Sequence, residues 1–113
     1  MISFSKLRLM ALSFPETSES PHFDKVSFRY KKKIFATYNE KEHHACLKLS
    51  ESNQFLYSKT APGIVYPVNN KWGQQGWTLI ELKQLPLKLF EEVLRSAYEE
   101  VAFNKSPEFK PGK

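Results

Sequence analysis

A chain of 113 residues, 41% hydrophobic and 14% aromatic, has the size and composition of one domain with a modest core, which excludes a disordered chain. Cys46 is the only cysteine, which excludes a disulfide scaffold, and no apolar run approaches the ~20 residues of a membrane span. The formal net charge of +5 favours an anionic partner, although a charge of that size also serves solubility alone.

Ser3 to Leu12 predicts a helix, with Ser3 as N-cap and Phe4, Leu7, Met10 and Ala11 on one face. Arg8 and Pro15 break the apolar N-terminal stretch that a leader would need, so the expectation is a soluble cytoplasmic protein with its lone thiol in a reducing compartment. Pro15 and Glu16-Thr-Ser-Glu-Ser-Pro21 predict a loop. From Lys25 to Tyr30, Val26, Phe28 and Tyr30 alternate with Lys25, Ser27 and Arg29, the pattern of a half-buried strand; Ile34 to Tyr38 is a second. With Lys31-Lys32 as a two-residue loop, Phe28 falls opposite Phe35 and Val26 opposite Thr37. That face would be core, leaving Lys25, Arg29, Ile34 and Tyr38 on the other. Two lysines fit a type I′ turn poorly, because it wants φ > 0 at both, so the loop is either longer or strained.

His43 to Leu49 alternates again, with Ala45, Leu47 and Leu49 inward. Ser50 caps a short helix reaching about Tyr57, with Phe55 and Leu56 expected inward. Ile64 to Val68 is a weak strand, Asn69 to Gly76 a polar loop containing Trp72, and Trp77 to Leu82 the last strand. Pro86 opens a helix to Phe103 whose stripe is Leu87, Phe90, Leu94, Ala97 and Val101, with Glu91, Glu92, Arg95, Glu99 and Glu100 outside. Residues 104–113 read as the frayed tail of a single domain spanning 1–113. The order α-β-β-β-α-β-β-α predicts an α/β (α+β) fold with one antiparallel sheet of about five strands and helices mostly on one face.

The chain carries no catalytic motif, and neither an enzymatic activity nor a cofactor is expected. His44 and Cys46 share a strand face beside His43, but a structural zinc needs four ligands and no second pair follows, so no metal is expected. The basic stretch is the informative feature. Lys25, Arg29, Lys31, Lys32 and Lys33 put the whole net charge of +5 into nine residues, with Tyr30 and Tyr38 nearby. Lysines neutralise phosphate and aromatics stack on unpaired bases; the competing reading is a charged tip that protects a hairpin from aggregation. Lys71 and Trp72 form a second candidate, in the loop before the last strand.

Several stretches together resemble the MmcQ/YjbR-like family of small bacterial proteins. They are Ala11-Leu-Ser-Phe-Pro-Glu16, Val26-Ser-Phe-Arg-Tyr30 with Lys33-Ile-Phe-Ala36, Leu47-Lys-Leu49, Gly76-Trp-Thr-Leu-Ile-Glu-Leu82, Leu85-Pro-Leu87 and Leu94-Arg-Ser-Ala-Tyr98. The resemblance implies a fold similar to that of the frataxin-like CyaY proteins and DNA binding through a double-wing surface. Two departures touch the wings: Lys32 stands where the family often has Gly, and Lys71 is separated from Trp77 by Trp72-Gly-Gln-Gln-Gly76. The acidic ridge of frataxin-like iron binding is replaced on the first helix by Lys6 and Arg8. The functional expectation is a non-catalytic nucleic-acid-binding module, DNA ahead of RNA, acting as a monomer or weak homodimer through Lys25, Arg29, Lys31, Lys32, Lys33, Lys71 and Trp72. The alternative is a protein-interaction or adaptor domain using an open sheet face.

Overall fold

The computed structural model describes residues 1–103, and the tail expected over 104–113 lies outside the described residues. The elements run α1 (Phe4–Ser13), β1 (Thr17–His22), β2 (Lys25–Tyr30), β3 (Lys33–Asn39), β4 (His44–Lys48), α2 (Glu51–Thr60), β5 (Val65–Pro67), α3 (Lys71–Gln74), β6 (Trp77–Glu81) and α4 (Leu87–Phe103). The strands form one antiparallel sheet in the order β1-β2-β3-β4-β6-β5. This is the expected α+β layering with six strands rather than about five. The extra one is β1, which was expected as a loop and instead pairs with β2 from Thr17↔Tyr30 to His22↔Lys25. Its sequence hides it because it is an edge strand, with Ser18, Glu19 and Pro21 exposed. A polar, proline-containing edge also discourages sheet-to-sheet association.

The helices start where their caps dictate. Ser3 Oγ accepts the Lys6 N–H at 3.1 Å, and Ser50 Oγ accepts that of Asn53 at 3.1 Å. α1 buries Leu7 and Ala11, with Phe4 and Met10 packed alongside. In α2 the phase differs from expectation: Phe55 and Leu56 are exposed, and Tyr57 is the buried residue. The inward row is Gln54, Tyr57 and Ala61, one face at i, i+3 and i+7. Its polar member is held by hydrogen bonds described below. α4 buries Phe90, Val93, Leu94, Ala97 and Tyr98, while Leu87, the expected head of its stripe, stays exposed. Tyr98 ties the layers together. It stacks on Phe14 at 4.5 Å, meets Phe35 and Tyr30 edge-on, and donates its hydroxyl to the Pro15 carbonyl at 2.9 Å.

The β2–β3 hairpin does turn through Lys31-Lys32, since Tyr30 pairs with Lys33. Only Lys31 takes a left-handed φ, of 57°, so the turn is not type I′. The expected register holds through Arg29↔Ile34 and then fails. A bulge between Phe28 and Arg29 sets Phe28 opposite Ala36 and Val26 opposite Tyr38. The extra residue lets Phe35 and Ala36 both lie in the core, and it swaps the two residues that follow. Tyr38 turns inward, 7% exposed and 4.6 Å from the Phe4 ring, and Thr37 goes to the opposite face with Ser27. The helices α1, α2 and α4 all join the core on one side of the sheet. Among the described residues the other side is helix-free except at one end, where α3 closes over it. No helix among the described residues is long and apolar enough to cross a membrane.

Candidate functional site

Antiparallel pairing fixes what shares the helix-free face. Ser20, Ser27, Thr37, Cys46, Leu79 and Tyr66 lie in one row across the strands, because each is the register partner of the next. Alternation adds Lys25 and Arg29 on β2, His44 and Lys48 on β4 and Trp77 and Glu81 on β6. An open groove of about 430 Å³ crosses this face. Ile34, Cys46 and Leu79 form its floor; Trp72, Trp77 and Val68 wall one end, and His22, Phe23, Lys25 and His44 the other. Among the described residues its lining is mainly apolar and contains no carboxylate.

The Trp72 end is built by two glycines and one glutamine. Asn70 caps α3, its Oδ1 accepting the Trp72 N–H at 2.8 Å. A side chain at Gly73 would run into the Val68 carbonyl, so glycine lets α3 fold back against the end of β5. Gly76, at φ 104°, passes just as close to the Leu49 carbonyl and turns the chain into β6. From α2, Gln54 Nε2 donates toward the carbonyls of Gly73 at 2.9 Å and Trp77 at 3.3 Å and toward Thr78 Oγ1 at 3.1 Å. Trp72 is thereby held half exposed over the helix-free face.

The candidate residues divide. Lys25 and Trp72 line the same groove. Lys25 also pairs with Asp24 at 3.2 Å, which holds the Asp24 carboxyl below its usual range. Arg29 lies on the same face with Nε 3.1 Å from Ser27 Oγ, and Ser27 donates on to the Ser20 carbonyl. Lys31, Lys32 and Lys33 are exposed beyond the end of β2. Lys31 sits 5.4 Å over the Tyr30 ring and 3.8 Å from Glu16; Lys32 and Lys33 have no ion pair among the described residues. Lys71 is not in the groove: it lines a separate polar hollow with Glu51, Gln54 and Asn70.

Strand direction brings these pieces to one end of the sheet. Lys48 pairs with Trp77, so the β2–β3 turn, the end of β4 and the 69–76 segment all emerge on the same edge. From that turn to the β5–β6 connection is about three strand spacings, roughly 14 Å. Lys48 lies between them, its ammonium donating to the Gln75 carbonyl. Lys48 was missed in the sequence because it sits singly in an alternating strand; its membership is a matter of register. Phe23 was missed as well. It occupies the β1–β2 turn with φ 60° and is 93% exposed.

Other expectations change. Tyr38 is in the core and Tyr30 packs against Tyr98, so neither offers a free ring face for stacking. His43 diverges from His44 and Cys46. Its Nε2 lies 3.1 Å from the Ile2 carbonyl, to which it donates, and its Nδ1 lies 2.9 Å from the Tyr38 hydroxyl. Among the described residues no group of three or more His, Cys, Asp or Glu is arranged to hold a metal ion. Burial pushes the Cys46 thiol up to about 11, so it is not a poised nucleophile.

Two solved structures share the fold. A protein of Deinococcus radiodurans with a DUF419 domain superposes with a TM-score of 0.78 at 21% identity, covering 97% of this chain and 83% of that one. A protein from Pseudomonas syringae gives a TM-score of 0.67 at 14% identity, covering 88% of this chain and 98% of its own. No curated protein matches the sequence. The YjbR family matches residues 12–100, from the end of α1 through most of α4, and the chain belongs to that family.

Proposed function

We propose that the protein is a non-catalytic nucleic-acid-binding module that acts in the cytoplasm and grips the phosphate backbone with the lysines at one end of its sheet. The observation that carries this reading is the convergence of Lys31, Lys32 and Lys33 with Lys48 on that edge, next to the 69–76 segment. Of these, Lys48 lies on the face of the sheet opposite α4. Lysine contacts to phosphate carry little sequence information, so binding is directed mainly at the backbone. The free thiol of Cys46 supports a reducing compartment. Helices on one side of an antiparallel sheet support the likeness to CyaY-type proteins.

The test is a salt titration. With three to five phosphates neutralised, log K against log[salt] for duplex DNA should slope at about −3 to −4.5. Changing Lys31, Lys32 and Lys33 to Ala should flatten that slope by up to about 3 and weaken all sequences alike. Absence of binding at ~50 mM salt, where such contacts are strong, would remove the reading. The adaptor alternative has one observation in its favour, the mainly apolar groove on the helix-free face.

A further inference from the structure

We infer that the groove between Phe23 and Trp72 takes unpaired bases, so that the nucleic acid bound is single-stranded. This rests on the nucleic-acid reading above and narrows it. Three features of the groove point the same way. The first is its aromatic content: Trp72 and Trp77 at one end and Phe23 at the other present rings on a face that no helix covers. A base inside a duplex has both faces occupied by its neighbours, so only a splayed base can lie on such rings.

The second is charge. Lys25 lines the groove, Arg29 follows it along the same face of β2, and the exposed Lys31, Lys32 and Lys33 stand beyond. Three carboxylates lie near this face: Asp24 pairs with Lys25, Glu81, the register partner of His44, accepts from the Tyr66 hydroxyl, and Glu42 lies 4.0 Å from His44 Nε2. An apolar protein segment would find a use for the floor but none for this cationic border. A strand of nucleic acid uses both, bases inward and phosphates toward Lys25, Arg29 and the lysine edge. Thr37, Asn39 and His44 supply hydrogen-bonding groups within the groove for base edges.

The third is Phe23 itself. A bulky residue with φ 60° is disfavoured, and a phenyl ring 93% exposed gains nothing from folding. Among the described residues its one ring contact is with His22, at 4.8 Å, and it is absent from the core. A strained, exposed aromatic at the mouth of a groove is the kind of local cost that a ligand site explains.

The experiment is an anisotropy titration of the full chain with labelled oligodeoxythymidine of roughly ten nucleotides, within the ~4–16 that single-strand sites span, and with a duplex of equal length. The single strand should bind the more tightly. Trp72→Ala and Phe23→Ala should each weaken it by about 5- to 150-fold, the worth of one stacked base, while leaving its salt slope and the duplex affinity unchanged. Saturating oligonucleotide should also slow alkylation of Cys46 on the groove floor. Phe23→Gly removes the ring while relieving the backbone, so it guards against a loss caused by misfolding. Equal affinity for strand and duplex, or full affinity in both aromatic variants, would overturn the inference; if the triple lysine variant still lost binding, the backbone-directed reading would survive it. A wild-type chain that binds neither probe would end both. Self-association abolished by Trp72→Ala, with no oligonucleotide bound, would assign the groove to a second copy and likewise overturn it.

Discussion

Gln54→Met tests whether the groove's tryptophan is positioned from the far side of the sheet. Methionine keeps the length and volume of the side chain and removes its amide: the two N–H donors and the carbonyl oxygen, for which the structure shows no hydrogen bond among the described residues. The three acceptors they face are not orphaned. The Gly73 carbonyl keeps the Gly76 N–H at 3.1 Å, the Trp77 carbonyl keeps the Val68 N–H at 3.0 Å, and Thr78 still donates to the Gly76 carbonyl at 2.9 Å. The loss is therefore two net hydrogen bonds of about 1 kcal/mol each, without the larger penalty of a buried unpaired group. A total of about 2 kcal/mol corresponds to a fall in Tm of roughly 8 °C for a domain of this size. Circular dichroism melts measure it. In a Trp77→Phe background, Trp72 emission should shift red as α3 loosens, and oligonucleotide affinity should fall although Gln54 does not line the groove. A change under about 0.5 kcal/mol, within the range of an ordinary surface substitution, would show that α3 is held by Gly73 and its cap alone.

Phe23→Gly should raise stability while lowering binding: relief of a left-handed residue, about 1–2 kcal/mol, exceeds the entropic cost of glycine, about 0.5–1 kcal/mol, so a melt should show a gain of up to about 1 kcal/mol. Cys46 should be sluggish toward iodoacetamide: with its thiol near 11 rather than 9.0, about one molecule in a thousand is ionised at pH 8, against about one in eleven for a thiol at 9.0. Because burial favours the protonated thiol in the folded chain, its contribution to stability is whole below pH ~9 and is lost as pH rises toward ~11; a Cys46→Ala melt compared with wild type across that window should show the difference vanish. Tyr66, pushed up to about 12 chiefly by its hydrogen bond to Glu81, acts in the same direction from pH ~10 upward, and a Tyr66→Phe chain should lose less stability there.

Sequence periodicity carried the fold wherever an element buries one apolar face. α1 and α4 were legible from their stripes, and β4 and β6 from strict alternation through Ala45, Leu47 and Ile80. β1 was not legible, because an edge strand shares its hydrogen bonds with one neighbour and has few side chains to bury. α2 was misphased for a different reason. Its inward row includes Gln54, a polar residue satisfied only by groups that lie 19 to 24 residues away. No local pattern distinguishes such a glutamine from a solvated one, so Phe55 and Leu56 attracted the assignment instead.

The site was less legible than the fold, and the bulge in β2–β3 is the main cause. A one-residue slip in a strand exchanges its two faces. Here Phe35 absorbs the slip, both Phe35 and Ala36 enter the core, and everything after them is reversed. Reading the hairpin as regular made Tyr38 an exposed stacking ring and Thr37 a core residue. The pairing makes Tyr38 a core residue bonded to His43 and puts Thr37 into the groove. The basic residues were found from composition because charge is legible without geometry. The aromatic partners were not, because Trp72 depends on α3 folding back over Gly73 and Phe23 on a turn between strands of which one was unforeseen. The bulge thus links the two halves of the proposed site: by drawing Tyr38 into the core it strips the hairpin of its own stacking ring and leaves that role to residues on the β1–β2 turn and on α3.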